Sequence, residues 1–280
     1  MPVQELDGAR AKAILGSPPD FRDGPDDNPI ARGLPAGSIT DDTMQAVIVA
    51  ELLVEGGGVI APRALADALM RWERGMSRRG RGELLGPSTR RALAALKLGQ
   101  DPSVAGASGT TNGAAMRITP VGIATPQDRL LEAVVDVDRV THDTPIAHAG
   151  AAVVATVVSA GVDGAGFEEA APLALEAAGH FGFAELVEKA SDFRTGVETA
   201  ESVPTAFAIA RLHQDDAWAA CVHAASLGGD TDTIAAMAGA MVAACTGLAA
   251  LPAQAVRKVR EVNDLDFEPL VDRLLALRRR

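Results

Sequence analysis

Two runs of oxygen-bearing side chains hold most of the chemistry available to this chain: Ser38-Ile39-Thr40-Asp41-Asp42-Thr43 and Gly228-Gly229-Asp230-Thr231-Asp232-Thr233. Each stands directly ahead of an apolar helical pattern. Ser, Thr and Asp are favoured at helix N-caps and in first turns, where they satisfy free N–H groups and meet the positive end of the dipole. Capping is enough to explain the first run. In the second it accounts for one aspartate and leaves the other, both threonines and the glycine pair unexplained. Counting excludes two other motifs. An EF-hand loop starting at Asp230 needs Gly in its sixth position and Glu in its twelfth, where the chain has Ala235 and Met241. A phosphotransferase pattern of the Asp-x-Asp-x-Thr type needs Thr where Ile234 stands, and a strand where residues 218–226 read as helix.

Together the runs supply the carboxylates of Asp41, Asp42, Asp230 and Asp232 and the hydroxyls of Thr40 and Thr233. An all-oxygen set suits a hard divalent cation, Mg2+ or Mn2+, better than Zn2+, which favours His and Cys. These carboxylates would neutralise two such ions. The anionic surplus also suits the location, because a helix N-terminus repels cations unless carboxylates outweigh it. A pair of ions can activate a water and polarise a leaving oxygen together. Phosphoryl transfer with the same metals is disfavoured, since neither run has an adjacent Lys or Arg to clamp a phosphate.

Two further segments carry polar chemistry. Gly106-Ala107-Ser108-Gly109-Thr110-Thr111-Asn112-Gly113 runs into Ala114-Ala115-Met116-Arg117. A Gly/Ser/Thr loop opening a helix can present N–H groups to phosphate, but no Lys follows as in a P-loop, and a plain connector explains it as well. In Thr141-His142-Asp143-Thr144, His142 is open to reading as a substrate contact, a general acid–base or a capped histidine. His148, His180, His213 and His223 lie in helical patterns with no partner evident from the sequence.

The elements that must position these residues are helical. Ala-rich sequence with only 3% aromatic residues and no Tyr favours close helix packing over sheet. Helices are expected near 5–15, from Thr40 to the Gly56-Gly57-Gly58 stop, and over 61–74, 90–98, 114–118, 127–140 and 145–158. Further helices are expected near 167–179, 182–190, 203–212, 215–226, 232–248, 252–262 and 267–279. Period-2 alternation is rare, and residues 17–38 read as a Pro/Gly/Asp-rich loop. The 280 residues form one all-α domain on this reading. A net charge of −11 argues against nucleic acid. The most apolar stretches, 147–160 and 233–250, are broken by Gly or too short to span a membrane. Cys221 and Cys245 read as buried reduced thiols, and the start has no signal-peptide pattern. A cytoplasmic protein is expected.

Five motifs follow in order: Gly33-Leu34-Pro35-Ala36-Gly37 leading into Thr40-Asp41-Asp42-Thr43, then Leu84-Leu85-Gly86-Pro87-Ser88-Thr89, Thr111-Asn112-Gly113-Ala114-Ala115-Met116-Arg117, Thr141-His142, and Gly228-Gly229-Asp230-Thr231-Asp232-Thr233. In these the chain resembles the ADP-ribosylglycohydrolase family over nearly its whole length. The resemblance implies a multi-helix orthogonal bundle with two Mg2+ (or Mn2+) ions in a cleft. Thr40, Asp41 and Asp42 would ligate from one side and Asp230, Asp232 and Thr233 from the other, with Asp41, Asp42 and Asp232 assisting catalysis. Gly109, Thr110, Thr111, Asn112, Gly113 and Met116 would hold the diphosphate and adenosine side of an ADP-ribose-containing or ribosyl substrate, with His142 near the ribose. The implied reaction is hydrolysis at the anomeric carbon. Members begin with a glycine-rich helix ending in a Gly-Asp-Ala-Leu-Gly type motif, followed by a Pro-x-Glu-like stretch. Met1-Pro2-Val3-Gln4 is similar to that stretch, so the first helix is expected to be missing, with Gln4 where several members carry Glu. An inactive relative that binds ADP-ribose or metal is the alternative.

Overall fold

Ala147 to Ala160 offers no large polar side chain except His148, so a helix here must be covered on every face. The computed structural model describes residues 2–17, 19–81, 85–188 and 193–279, and it builds the core around this segment. The helices are α1 (Gly8–Leu15), α2 (Asp41–Glu55), α3 (Pro62–Arg78), α4 (Pro87–Lys97), α5 (Gly113–Met116), α6 (Thr119–Ala124) and α7 (Gln127–Asp138). They continue as α8 (Pro145–Val162), α9 (Phe167–His180), α10 (Thr199–Leu212), α11 (Ala217–Ala225), α12 (Thr231–Thr246), α13 (Ala253–Asn263) and α14 (Glu268–Arg278). No strand forms among the described residues, and the protein is all-α.

Helix α8 packs against α5, α6, α7, α9, α10 and α12. Small residues permit the closest approaches. A Cβ on Gly161 would lie 2.6 Å from the Ala244 carbonyl carbon of α12, and one on Gly150 would lie 2.3 Å from Thr199 Cγ2 of α10. Helix α2 reaches the same core through α6, α12 and α14. Arg278 fastens α14 by donating to the carbonyls of Gly122, Thr125 and Ser159 and pairing with Asp163.

Several expectations need correction. Among the described residues α8 alone is long and apolar enough to cross a membrane; it runs to Val162, beyond the expected end, and 78% of it is buried inside the molecule. The helix expected at 182–190 is a single 3-10 turn among the described residues, Ala184–Leu186, which follows Gly182 at a φ of 84°. Residues 189 and 190 of that expected helix, with Met1 and Leu84 of the quoted motifs, lie outside the described residues. Helix α10 starts at Thr199 rather than 203, with Pro204 inside it. Helix α4 starts at Pro87, earlier than residue 90, because proline suits the first helical position. The helix expected at 114–118 is α5, ending at Met116, and a further helix, α6, starts at Thr119. Cys221 and Cys245 are free but only half-buried, their thiols pushed up to about 11 by burial. His148 and the pair His213–His223 have partners after all, the latter ring to ring at 2.9 Å.

Gly161→Ala should separate α8 from α12 and cost about 1–3 kcal/mol, the usual penalty for overpacking a core. Urea denaturation would measure it; an unchanged midpoint would mean that the two helices are not held this closely.

Candidate active site

The two Asp/Thr runs become the first turns of α2 and α12, and these helices bring those turns together. Neither run caps its helix. Thr40 and Asp230 occupy the N-cap positions without any side-chain cap hydrogen bond. Where capping does occur, at Asp7 and Asp216, the carboxylate accepts from the amide three residues on. Here the side chains turn towards one another. Thr40 Oγ1 donates to Asp42 Oδ2, and Thr233 Oγ1 donates to Asp230 Oδ1 at 3.2 Å. Asn112 Nδ2 donates to the other oxygen of Asp230 at 2.6 Å and to Ser202 Oγ at 3.0 Å.

One oxygen from each of Asp41, Asp42 and Asp232 lies within 4.8 Å of the others, and all three residues are buried. Asp42 Oδ1 and both oxygens of Asp232 are buried without a hydrogen-bond partner. Burial, reinforced by the neighbouring carboxylates, pushes Asp41 and Asp230 well above the usual carboxylate range and Asp42 to about 7. Burial raises Asp232 as well. A buried acid cluster with orphaned oxygens is unfavourable by itself and suits an oxygen-liganded divalent cation. The residues present fit such an ion.

A cleft of about 360 Å³ opens beside the cluster, with Asp41, Asp230 and Thr233 on its floor. Thr111, Asn112, Gly113 and Met116 form one wall, and Gln4 and Glu5 lie on another. Gly109 and Thr110 do not line it. A Cβ on Gly109 would sit 2.2 Å from the Thr141 carbonyl oxygen, and the Thr110 carbonyl accepts from the Thr199 amide. His142 is fully buried behind Thr111 and Gly113, and a Cβ on Gly113 would come 2.8 Å from its Cε1. The phosphate-cradle reading of this loop loses ground, because the Thr111 amide already donates to Ser88 Oγ at 3.4 Å and the Asn112 amide to the Val197 carbonyl at 2.9 Å.

The N-terminal segment is stitched to the second run. The Glu5 amide donates to the Gly229 carbonyl at 2.8 Å and the Gly229 amide to the Leu6 carbonyl at 2.9 Å. Gly229 has a φ of 74°, and a Cβ there would meet the Thr195 carbonyl oxygen at 2.5 Å, so both backbone shape and space demand glycine. Asn28 Nδ2 holds the Gln4 carbonyl at 2.9 Å.

Sequence reasoning passed over three residues here. Glu5 is the first: it lines the cleft beside Gln4, with a left-handed φ of 62°, which is uncommon outside glycine. Gln45, one turn after Asp41, donates through Nε2 to Asp41 Oδ2 at 3.4 Å; that i,i+4 spacing was a readable signal. Arg117 is fully buried and donates to Gln45 Oε1 at 3.0 Å. Nothing local marks an arginine as buried.

Known proteins resemble the chain throughout. The family model for ADP-ribosylglycohydrolase matches residues 1–280. The chain is 31% identical to YegU of Escherichia coli (strain K12), described as an uncharacterized protein, over 95% of this chain and 89% of that one. It is 29% identical to an uncharacterized protein of Archaeoglobus fulgidus, covering 86% and 81% respectively. A solved structure described as an ADP-ribosylglycohydrolase-related protein complex superposes with a TM-score of 0.70 at 26% identity, over 97% of this chain and 94% of that one.

The raised carboxyls set a pH dependence. Folded values above the unfolded 3.8, reaching about 7 at Asp42, mean that the metal-free folded state holds extra protons between those limits. Its stability should therefore fall as pH rises through that window. Thermal melts should show Mg2+ raising Tm more at about pH 8 than at about pH 5. An equal Mg2+ shift at both would contradict it.

Proposed function

Because the chain belongs to the ADP-ribosylglycohydrolase family, we propose that it is a divalent-metal-dependent hydrolase of an ADP-ribosyl or related ribosyl glycosidic bond, acting in the cytoplasm. The observation that carries this reading is the convergence of Asp41, Asp42 and Asp232 with three orphaned oxygens. Asp41, Asp42 and Asp232 would hold one Mg2+ or Mn2+ ion, and Asp230, with Thr40 and Thr233 nearby, would complete a second position. When bound, the ions lower the pKa of a water and polarise ribose oxygens.

The chain's own residues do the rest. Thr111, Asn112, Gly113 and Met116, which line the cleft, would hold the ADP-ribose moiety of the substrate. Burial pushes the fully enclosed His142 well below the usual histidine range, so it acts as a neutral support rather than an acid. Water adds to the anomeric carbon as the bond to the acceptor breaks, and the acceptor leaves with a proton. Gln4 cannot exchange that proton, whereas Glu5, which lines the same cleft, has a carboxylate that could. The substrate is an ADP-ribosylated protein side chain or a small molecule bearing ADP-ribose or ribose.

Purified protein with Mg2+ should release ADP-ribose from arginine- or serine-linked substrates, and Asp41→Ala or Asp232→Ala should abolish the release. Tight ADP-ribose binding without release from any linkage would instead support a binding protein. Glu5→Gln should lower kcat by about 10²–10⁴-fold if Glu5 moves the proton. An unchanged kcat would remove it from the reaction.

A further inference from the structure

Arg117 is buried completely, and among the described residues no carboxylate pairs with it at salt-bridge distance. A buried guanidinium without a direct ion pair is costly, and an apolar residue would fill the same space more cheaply. Its two terminal nitrogens reach different parts of the site. We infer that Arg117 is a positioning residue that orients both halves of the cleft, the acid cluster through Gln45 and the ribosyl wall through Thr141 and His142. The first half of this inference rests on the acid cluster being a cation site.

The first branch follows from what each group can do. A guanidinium donates only, so the Gln45 oxygen must face Arg117 Nη1, 3.0 Å away. The amide nitrogen then faces Asp41 Oδ2 at 3.4 Å. That removes the amide's freedom to flip and ties Asp41 Oδ2 to Gln45. Outer groups of this kind tune how well a carboxylate binds metal.

The second branch fixes a tautomer. Arg117 Nη2 donates to Thr141 Oγ1, whose own proton, on a fully buried hydroxyl, has His142 Nδ1 as its acceptor at 2.7 Å. Nδ1 is therefore unprotonated and Nε2 carries the hydrogen. Nε2 lies 3.2 Å from Thr111 Oγ1, which accepts from it. The Thr111 hydroxyl proton is then left for a partner other than His142, and Thr111 lines the cleft. The neutral state of His142 agrees with this: burial first, and the Arg117 charge next, hold its pKa well below the ordinary value.

Near-isosteric variants separate the branches. Gln45→Met should weaken Mn2+ binding, followed by electron paramagnetic resonance with the metal alone, by roughly 10–100-fold and leave the His142 tautomer as it is. Thr141→Val should leave Mn2+ affinity within about twofold, and nitrogen NMR should show His142 losing its uniform Nε2–H form. Arg117→Met should do both, while Arg117→Lys, with one nitrogen, should recover at most one branch. A folded Arg117→Met protein with unchanged Mn2+ affinity and unchanged tautomer would overturn the inference. So would Gln45→Met and Thr141→Val each moving both readouts equally. If Arg117→Met does not fold, failure of each single-branch variant to move its own readout overturns it. Should the wild-type protein bind no Mn2+, the cation reading falls, and the tautomer of Thr141→Val still decides the second branch.

Discussion

Repulsion among buried carboxylates is the constraint on which the rest of this structure depends. At 4.8 Å and an effective dielectric of about 20, each ionised pair repels by about 3.5 kcal/mol. The pairs formed by Asp41, Asp42 and Asp232 together approach the whole stability of a typical domain, about 5–15 kcal/mol. The cluster must therefore hold protons or hold cations. Thr40 and Gln45 donate to Asp42 and Asp41, but Asp42 Oδ1 and both oxygens of Asp232 have no partner. The helix ends make this sharper, since the positive end of each dipole favours ionised carboxylates while supplying no ligand for them.

The fold is arranged to keep that cluster in place. The apolar helix α8 is enclosed by its neighbours and carries α5, α10 and α12 around it, so that the wall residues and the second acid run share one rigid base. Close contacts at Gly150 and Gly161 set the spacing of α8 from α10 and α12. Arg117 lies at the end of α5, and its fork joins α2 to the loop carrying Thr141 and His142. A buried charge here does what an apolar side chain could not: it dictates which way an amide and an imidazole face.

Much of this was legible in the sequence, and the losses have physical causes. The starts of α2 and α12 were readable because an acid–hydroxyl run before an apolar period has few other meanings. Whether those side chains cap or ligate was not readable, since both tasks use the same residue types and differ only in direction. Thr40 and Asp230 bond to neighbouring side chains instead of to amides, which excludes capping by these two side chains. Met116 and Asn112 line the cleft, whereas Gly109 and His142 do not, a distinction that depends on which backbone approaches which. The pairing of Arg117 with Gln45 spans 72 residues and leaves no periodic trace. The helix expected at 182–190 shortens to the 3-10 turn Ala184–Leu186 among the described residues, after Gly182 at positive φ.

The most direct test of the cation claim is anomalous X-ray diffraction from crystals of this protein grown with Mn2+. The expected result is manganese density bounded by Asp41, Asp42 and Asp232, with a second peak beside Asp230. Protein crystallised with Mn2+ whose acid cluster shows no anomalous density would contradict the account.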